Sequence, residues 1–223
     1  MGFDITSFLM GKAAGGGGGG GGSTVDKTHQ NYAFTSGVHC RAALIGDFTS
    51  YTCYWLPLDS SGNALRVNWS KAFHLHIKFK FSQADNRSEA LFGAYGNGLY
   101  WHGTLSMEAQ TDKWFFPFST SGSAWTNETY IPFTEFPFNV NVFYTVDIVY
   151  DGGTTITITM NDGTNSASRT ITLSATLYNS NYDWGFGNIG LNTSLYARYC
   201  AFDPDDCYIE SEGEIVWGAK TLA

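Results

Sequence analysis

The residues of this chain that could do chemistry fall into a few short groups, and their spacing says which chemistry each could support. Glu210, Glu212 and Glu214 recur at every second position. In an extended strand such a row places three carboxylates on one face, and two of them about 5 Å apart can act as nucleophile and acid in retaining glycoside hydrolysis. The spacers, Ser211 and Gly213, are turn formers, and Tyr208-Ile209 and Ile215-Val216-Trp217 flank the row. A closing hairpin with Glu212-Gly213 near its tip accounts for that pattern. No catalytic residue is assigned, and the domain is expected to be non-catalytic.

A second group suits carbohydrate. Sugars are recognised by flat aromatic faces that stack on their C–H patches, with amides and carboxylates fixing the hydroxyls. Tyr95, Asn97, Tyr100, Trp101 and His102 cluster around one turn, and Trp114, Trp125, Asn127 and Tyr130 fall in a long segment rich in turn residues. Tyr95, Asn97, Trp101, Trp114, Trp125 and Asn127 are the candidate carbohydrate-binding residues. Trp101 and Trp125 sit among Gly, Ser, Thr or Asn and are expected to be exposed, whereas Trp114 with Phe115, Phe116 and Phe118 also reads as a satellite core beneath a long loop.

Metal and redox chemistry find less support. His74 and His76 share one strand face, which could hold zinc but is also what a solvated face looks like. Asp203, Asp205 and Asp206 could attract calcium; with Pro204 among them they read as a turn. No metal or other cofactor is assigned, calcium being the one considered. Neither Cys40 with Cys53 nor Cys200 with Cys207 has CxxC spacing, and the sequence leaves disulfides and buried thiols equally open. There is no GxSxG elbow, and no Gly-Lys-Ser/Thr follows the glycine run.

The elements that would position these groups are strands. Ala72 to Phe81 alternates Phe73, Leu75, Ile77, Phe79 and Phe81 with His74, His76, Lys78 and Lys80, a half-buried strand. Val140 to Tyr150, the turn Asp151-Gly152-Gly153, Thr154 to Met160, the turn at Asn161-Asp162-Gly163 and Arg169 to Leu173 read as a three-stranded meander. Further strands are expected at 90–95, 98–107, 183–191, 197–202 and 214–217. With no helix-period stretch of useful length, the fold class is all-β: a two-sheet antiparallel jelly-roll sandwich spanning 32–223.

Composition narrows the partners. Aromatic residues make up 17% of the 223 residues and charged residues 14%, so a large core can form with rings left over for the surface. The net charge of −8 and scattered Lys and Arg argue against nucleic acid, and no stretch reaches the roughly 20 apolar residues of a membrane span. Residues 1–14 carry Phe3, Ile5, Phe8, Leu9 and Met10, and eight uninterrupted glycines follow in the linker 15–31. This arrangement reads as an apolar plug that docks into another protein while a flexible tether lets the sandwich swing free.

The strand HLHIKFKF, then ALFGAYGNGLYW, the pair FYTVDIVYDGGTTITITMNDG, GFGNIGLN and the closing FDPDDCYIESEGEIVW together resemble the concanavalin A-like lectin/glucanase superfamily, in the laminin-G-like versions found on bacteriophage particles. MGFDITSFLMGKAAGGGGGGGG resembles the opening of tail or appendage proteins of gut phages. The resemblance implies a virion protein made in the host cytoplasm and held to other virion proteins through its N-terminus. Its sandwich would bind host cell-surface polysaccharide, with several copies gaining avidity as a homo-oligomer. Two other functions fit the same pattern: a purely architectural virion decoration and a glucanase-like polysaccharide depolymerase.

Overall fold

The computed structural model describes residues 42–46, 53–59, 61–81, 89–94, 104–180, 184–188, 200–203 and 206–218. The anchor 1–14, the linker 15–31 and three candidate residues, Tyr95, Asn97 and Trp101, lie outside them. The first seven strands are β1 (Ala42–Gly46), β2 (Cys53–Pro57), β3 (Phe73–Phe81), β4 (Glu89–Ala94), β5 (Ser106–Ala109), β6 (Lys113–Phe118) and β7 (Asn127–Pro132). The remainder are β8 (Phe143–Tyr150), β9 (Thr155–Asn161), β10 (Ser166–Thr172), β11 (Trp184–Asn188), β12 (Cys200–Phe202), β13 (Tyr208–Ser211) and β14 (Glu214–Gly218).

These strands form two antiparallel sheets. One runs β1-β2-β11-β4-β5-β6-β7, and the other β10-β9-β8-β3-β13-β14 with β12 also paired to β3. The chain changes sheet between β2 and β3, β3 and β4, β7 and β8, β10 and β11, and β11 and β12, which gives the expected all-β jelly-roll sandwich. Among the described residues no helix is long and apolar enough to cross a membrane.

Alternation in β3 does what its sequence dictates. Phe73, Leu75, Ile77, Phe79 and Phe81 are buried, and His74, His76, Lys78 and Lys80 line the outer face. Val146, Ile148 and Tyr150 of β8 and Ile156, Ile158 and Met160 of β9 join the inner face. The opposing sheet contributes Phe92, Trp114, Phe116, Trp184 and Phe186. Both expected turns form. In the first, Gly152 takes φ +79, where a side chain would be strained, and Asp151 Oδ1 accepts from the Gly153 and Thr155 amides at 2.7 and 3.0 Å.

The segment expected as a long loop is instead the hairpin β6–β7, with Trp114 paired to Ile131 and Phe118 to Asn127. This corrects the reading of Trp114 as a sugar-binding candidate. Its indole is fully buried, its Nε1–H donates to Phe136 O at 3.1 Å, and it packs against Tyr144 and Phe133 at 5.1 and 5.3 Å. Phe116 and Phe118 of the same strand are buried with it, as the satellite-core reading of this segment expects.

Candidate functional site

The outer face of the β8–β3–β13 sheet carries the densest set of reactive groups among the described residues. Antiparallel register puts Tyr208, His76 and Asp147 in one cross-strand row and Glu210, His74 and Val149 in the next. Directly opposed side chains on one face stand about 4.5–5.5 Å apart, close enough for all of these to interact.

Asp147 is the hub. Its Oδ1 accepts from His74 Nε2 at 2.6 Å and from His76 Nδ1 at 2.7 Å. Burial would raise the pKa of this carboxyl, but the hydrogen bonds and positive potential of the two imidazoles outweigh it and hold the group well below the usual carboxylate range. Tyr208 stacks flat on His76 at 4.9 Å and meets His74 edge-on at 5.1 Å, with its hydroxyl 3.4 Å from His74 Nδ1. His76 Nε2 is buried and makes no hydrogen bond, although Asp206 Oδ1 stands 3.3 Å away in poor alignment.

The polar band continues along the strands. Lys78 Nζ lies 3.1 Å from both Asp203 and Asp206, and these carboxylates outweigh the desolvation of the ammonium, holding its pKa above the ordinary lysine value. Asp206 N donates to Asp203 O at 3.1 Å, and the two carboxylates grip Lys78 between them, while Asp205 lies outside the described residues. At the end of the band the Phe143 ring is 37% exposed, with Lys80 and Lys78 ammonium groups 4.7 and 5.3 Å from its centre. At the other end a shallow cleft of about 180 Å³ is lined by His74, Val149, Tyr150, Glu210 and Glu212, among others.

The Glu210-Glu212-Glu214 row is broken by a tight turn, as its spacers suggest. Glu212 and Gly213 take φ +52 and +85 between β13 and β14, leaving Glu210 on one strand and Glu214 on the other. Trp125 and Asn127 are half-buried beside and within the edge strand β7 of the other sheet, apart from the histidine cluster. Cys200 and Cys207 are buried with no disulfide between them, and Cys40 lies outside the described residues. The sequence pointed to His74 and His76 but missed Asp147 and Tyr208. Asp147 carried a signal, as the one acid inside the apolar run FYTVDIVY.

No protein-family model matches the chain, and no curated protein is similar to it in sequence. Several solved structures are similar to it in part. The receptor-binding domain of botulinum neurotoxin C/D mosaic serotype aligns with 82% of this chain and 44% of its own, at 9% identity and TM-score 0.48. The binding domain of botulinum neurotoxin DC in complex with SialylT aligns with 77% and 37%, at 13% identity and TM-score 0.47. This chain thus spans under half the length of those two. An alginate lyase from Pseudomonas aeruginosa aligns with 72% of this chain and 74% of its own, at 8% identity and TM-score 0.48. Such scores concern the sandwich alone and leave ligand and chemistry open. Alginate lyases stand beside receptor-binding domains among these chains, so nothing in the comparison upholds the expectation of a strictly non-catalytic module. None of these three is named as a bacteriophage protein.

Proposed function

We propose that this domain binds a polysaccharide along the outer face of the β8–β3–β13 sheet. The observation that carries this reading is the continuity of that face. An exposed ring, Phe143, stands at one end, the His74, His76, Asp147 and Tyr208 cluster lies in the middle, and Glu210 borders a cleft at the other end. A ring offers a stacking surface for sugar C–H groups, and imidazoles and carboxylates of fixed geometry discriminate hydroxyl positions. Carboxylates outnumber ammonium groups on this face, which favours a neutral or amino-sugar chain over a polyanion.

A panel of bacterial surface and plant polysaccharides, tested by affinity electrophoresis, decides the matter. Retention of the wild type by at least one, weakened about tenfold or more in Phe143→Ala and in Glu210→Gln, is expected. Retention by none, or equal retention of all three proteins, removes the proposal.

One observation favours a second reading, in which the bound chain is also cleaved. An imidazole hydrogen-bonded to an ionised carboxylate, with a phenol beside it, has the components of a general base and a general acid. Release of new sugar termini by the wild type and not by His74→Gln is the outcome this reading requires. The resemblance to phage appendages supplies the setting we propose, a virion surface with residues 1–14 seated in neighbouring virion proteins. Deletion of residues 1–22 should then abolish incorporation into particles and spare polysaccharide binding.

A further inference from the structure

From the same cluster we infer a binding site for one divalent transition-metal ion, with zinc the reference case, held by His74 Nε2, His76 Nδ1 and a carboxylate oxygen of Asp147. These three donor atoms lie within 4.8 Å of one another. The two nitrogens already converge on Asp147 Oδ1 at 2.6 and 2.7 Å. Ligands 2.0–2.1 Å from a tetrahedral zinc stand about 3.3 Å apart, so each of these gaps opens by only about 0.6 Å to admit the ion. Two imidazoles and a carboxylate form a set suited to zinc, nickel, copper or iron and poorly suited to calcium or magnesium, which take oxygen donors.

The groups around the three donors are those a metal-bound histidine uses. A ligating imidazole directs its other nitrogen to a carboxylate or another polar group, which fixes its tautomer and orientation. Here Asp206 Oδ1 is 3.3 Å from His76 Nε2, and the Tyr208 hydroxyl is 3.4 Å from His74 Nδ1. The case of His76 is the more telling. When its Nδ1 gives a hydrogen to Asp147, the neutral ring turns an Nε2 lone pair toward the Asp206 carboxylate, and that buried nitrogen makes no hydrogen bond. With a cation at Nδ1, Nε2 keeps the hydrogen and has the Asp206 carboxylate 3.3 Å away, an acceptor that a small turn of the ring brings into line. The rigid framework helps: His74 and His76 alternate on one strand, Asp147 is fixed by the β3–β8 ladder, and Tyr208 wedges both rings. Three protein donors leave a fourth position for water.

The site is argued from donor geometry and does not depend on the carbohydrate reading. Its test contains no glycan, so failure of either leaves the other standing. Untagged full-length protein, stripped with EDTA and dialysed, is titrated with ZnCl₂ by calorimetry and with CoCl₂ by visible absorption. One zinc ion per chain and the intense ligand-field bands of tetrahedral Co(II) are expected. Binding should fall at least tenfold in His76→Ala and in Asp147→Asn, and about tenfold in Asp206→Asn, whose residue touches no metal. Circular dichroism confirms the fold of each variant. Absence of wild-type binding, or equal binding by a His74→Ala/His76→Ala double variant, overturns the assignment.

Discussion

Replacing Trp114 separates two roles that one aromatic residue can play. As a surface platform it would be dispensable for folding; as a core residue it would be costly to remove. The ring is fully buried, touches Tyr144, Phe133, Phe138, Phe79 and Phe81 at centroid distances of 5.1 to 6.4 Å, and bonds Phe136 O through its N–H. Truncation to Ala removes the whole ring from a site that rigid neighbouring rings cannot collapse to fill, which costs about 3–5 kcal/mol. Trp114→Phe keeps most of the apolar contact but leaves the Phe136 carbonyl without its donor, at a cost of about 1–3 kcal/mol. With a urea m-value of about 2 kcal/mol/M, the midpoint falls by about 2 M for Ala and about 1 M for Phe. Equilibrium unfolding followed by tryptophan fluorescence and far-UV circular dichroism measures both shifts. A Trp114→Ala protein with an unchanged midpoint and weakened polysaccharide retention would refute the core assignment and restore the surface one.

Two further predictions test the rest of the framework. Glu108 is 7% exposed, and burial raises its pKa, only partly offset by the hydrogen bond from Gln110 Nε2. A carboxyl whose folded pKa lies above its unfolded value near 4.3 binds its proton more tightly when folded, so it weakens the fold as pH rises through that range. Glu108→Gln should therefore be more stable relative to wild type at pH 7.5 than at pH 4, and denaturant midpoints equally spaced at the two pH values would contradict this. Gly213 and Gly218 both have positive φ, but a Cβ at Gly213 meets open space, whereas one at Gly218 would lie 2.2 Å from Cys207 O and 2.4 Å from Tyr208 Cα. Gly213→Ala is expected to cost about 1 kcal/mol and Gly218→Ala more than about 3 kcal/mol; equal melting temperatures for the two variants would argue against the β13–β14 closure.

What could be read from the sequence, and what could not, follows from the nature of strand patterns. β3, β8 and β9, with the hairpin turns at Asp151-Gly152-Gly153 and Asn161-Asp162-Gly163, were legible because period-2 alternation and Asp-Gly turns are local signals. β6 escaped because it is apolar on both faces toward its end, with Phe116, Pro117 and Phe118 all buried, and so shows no clean alternation. β7 has Pro132 at one end and a run of Ser, Thr and Gly before it, which imitates a loop.

The site was half legible for a deeper reason. Alternation states which side of a strand a residue faces, so His74 and His76 were visible as neighbours and Asp147 as an outward acid in an apolar run. It fixes the register between two strands only up to a shift of two residues, because a slip of one would exchange Asp147 for Val146 or Ile148 and expel a buried side chain, while a slip of two keeps every face intact. A two-residue slip would set Thr145 or Val149 opposite His76 in place of Asp147. What fits the observed offset is packing at the end of the ladder, where Phe73 stands opposite Tyr150 and Gly152 fits tightly against Ala72 at the adjacent turn. The chemistry of the cluster therefore depends on packing some distance from it along the strands. A substitution that crowds Gly152, whose Cβ would come within 2.8 Å of the Ala72 amide, should disturb the His76–Asp147 pairing with no change to either residue.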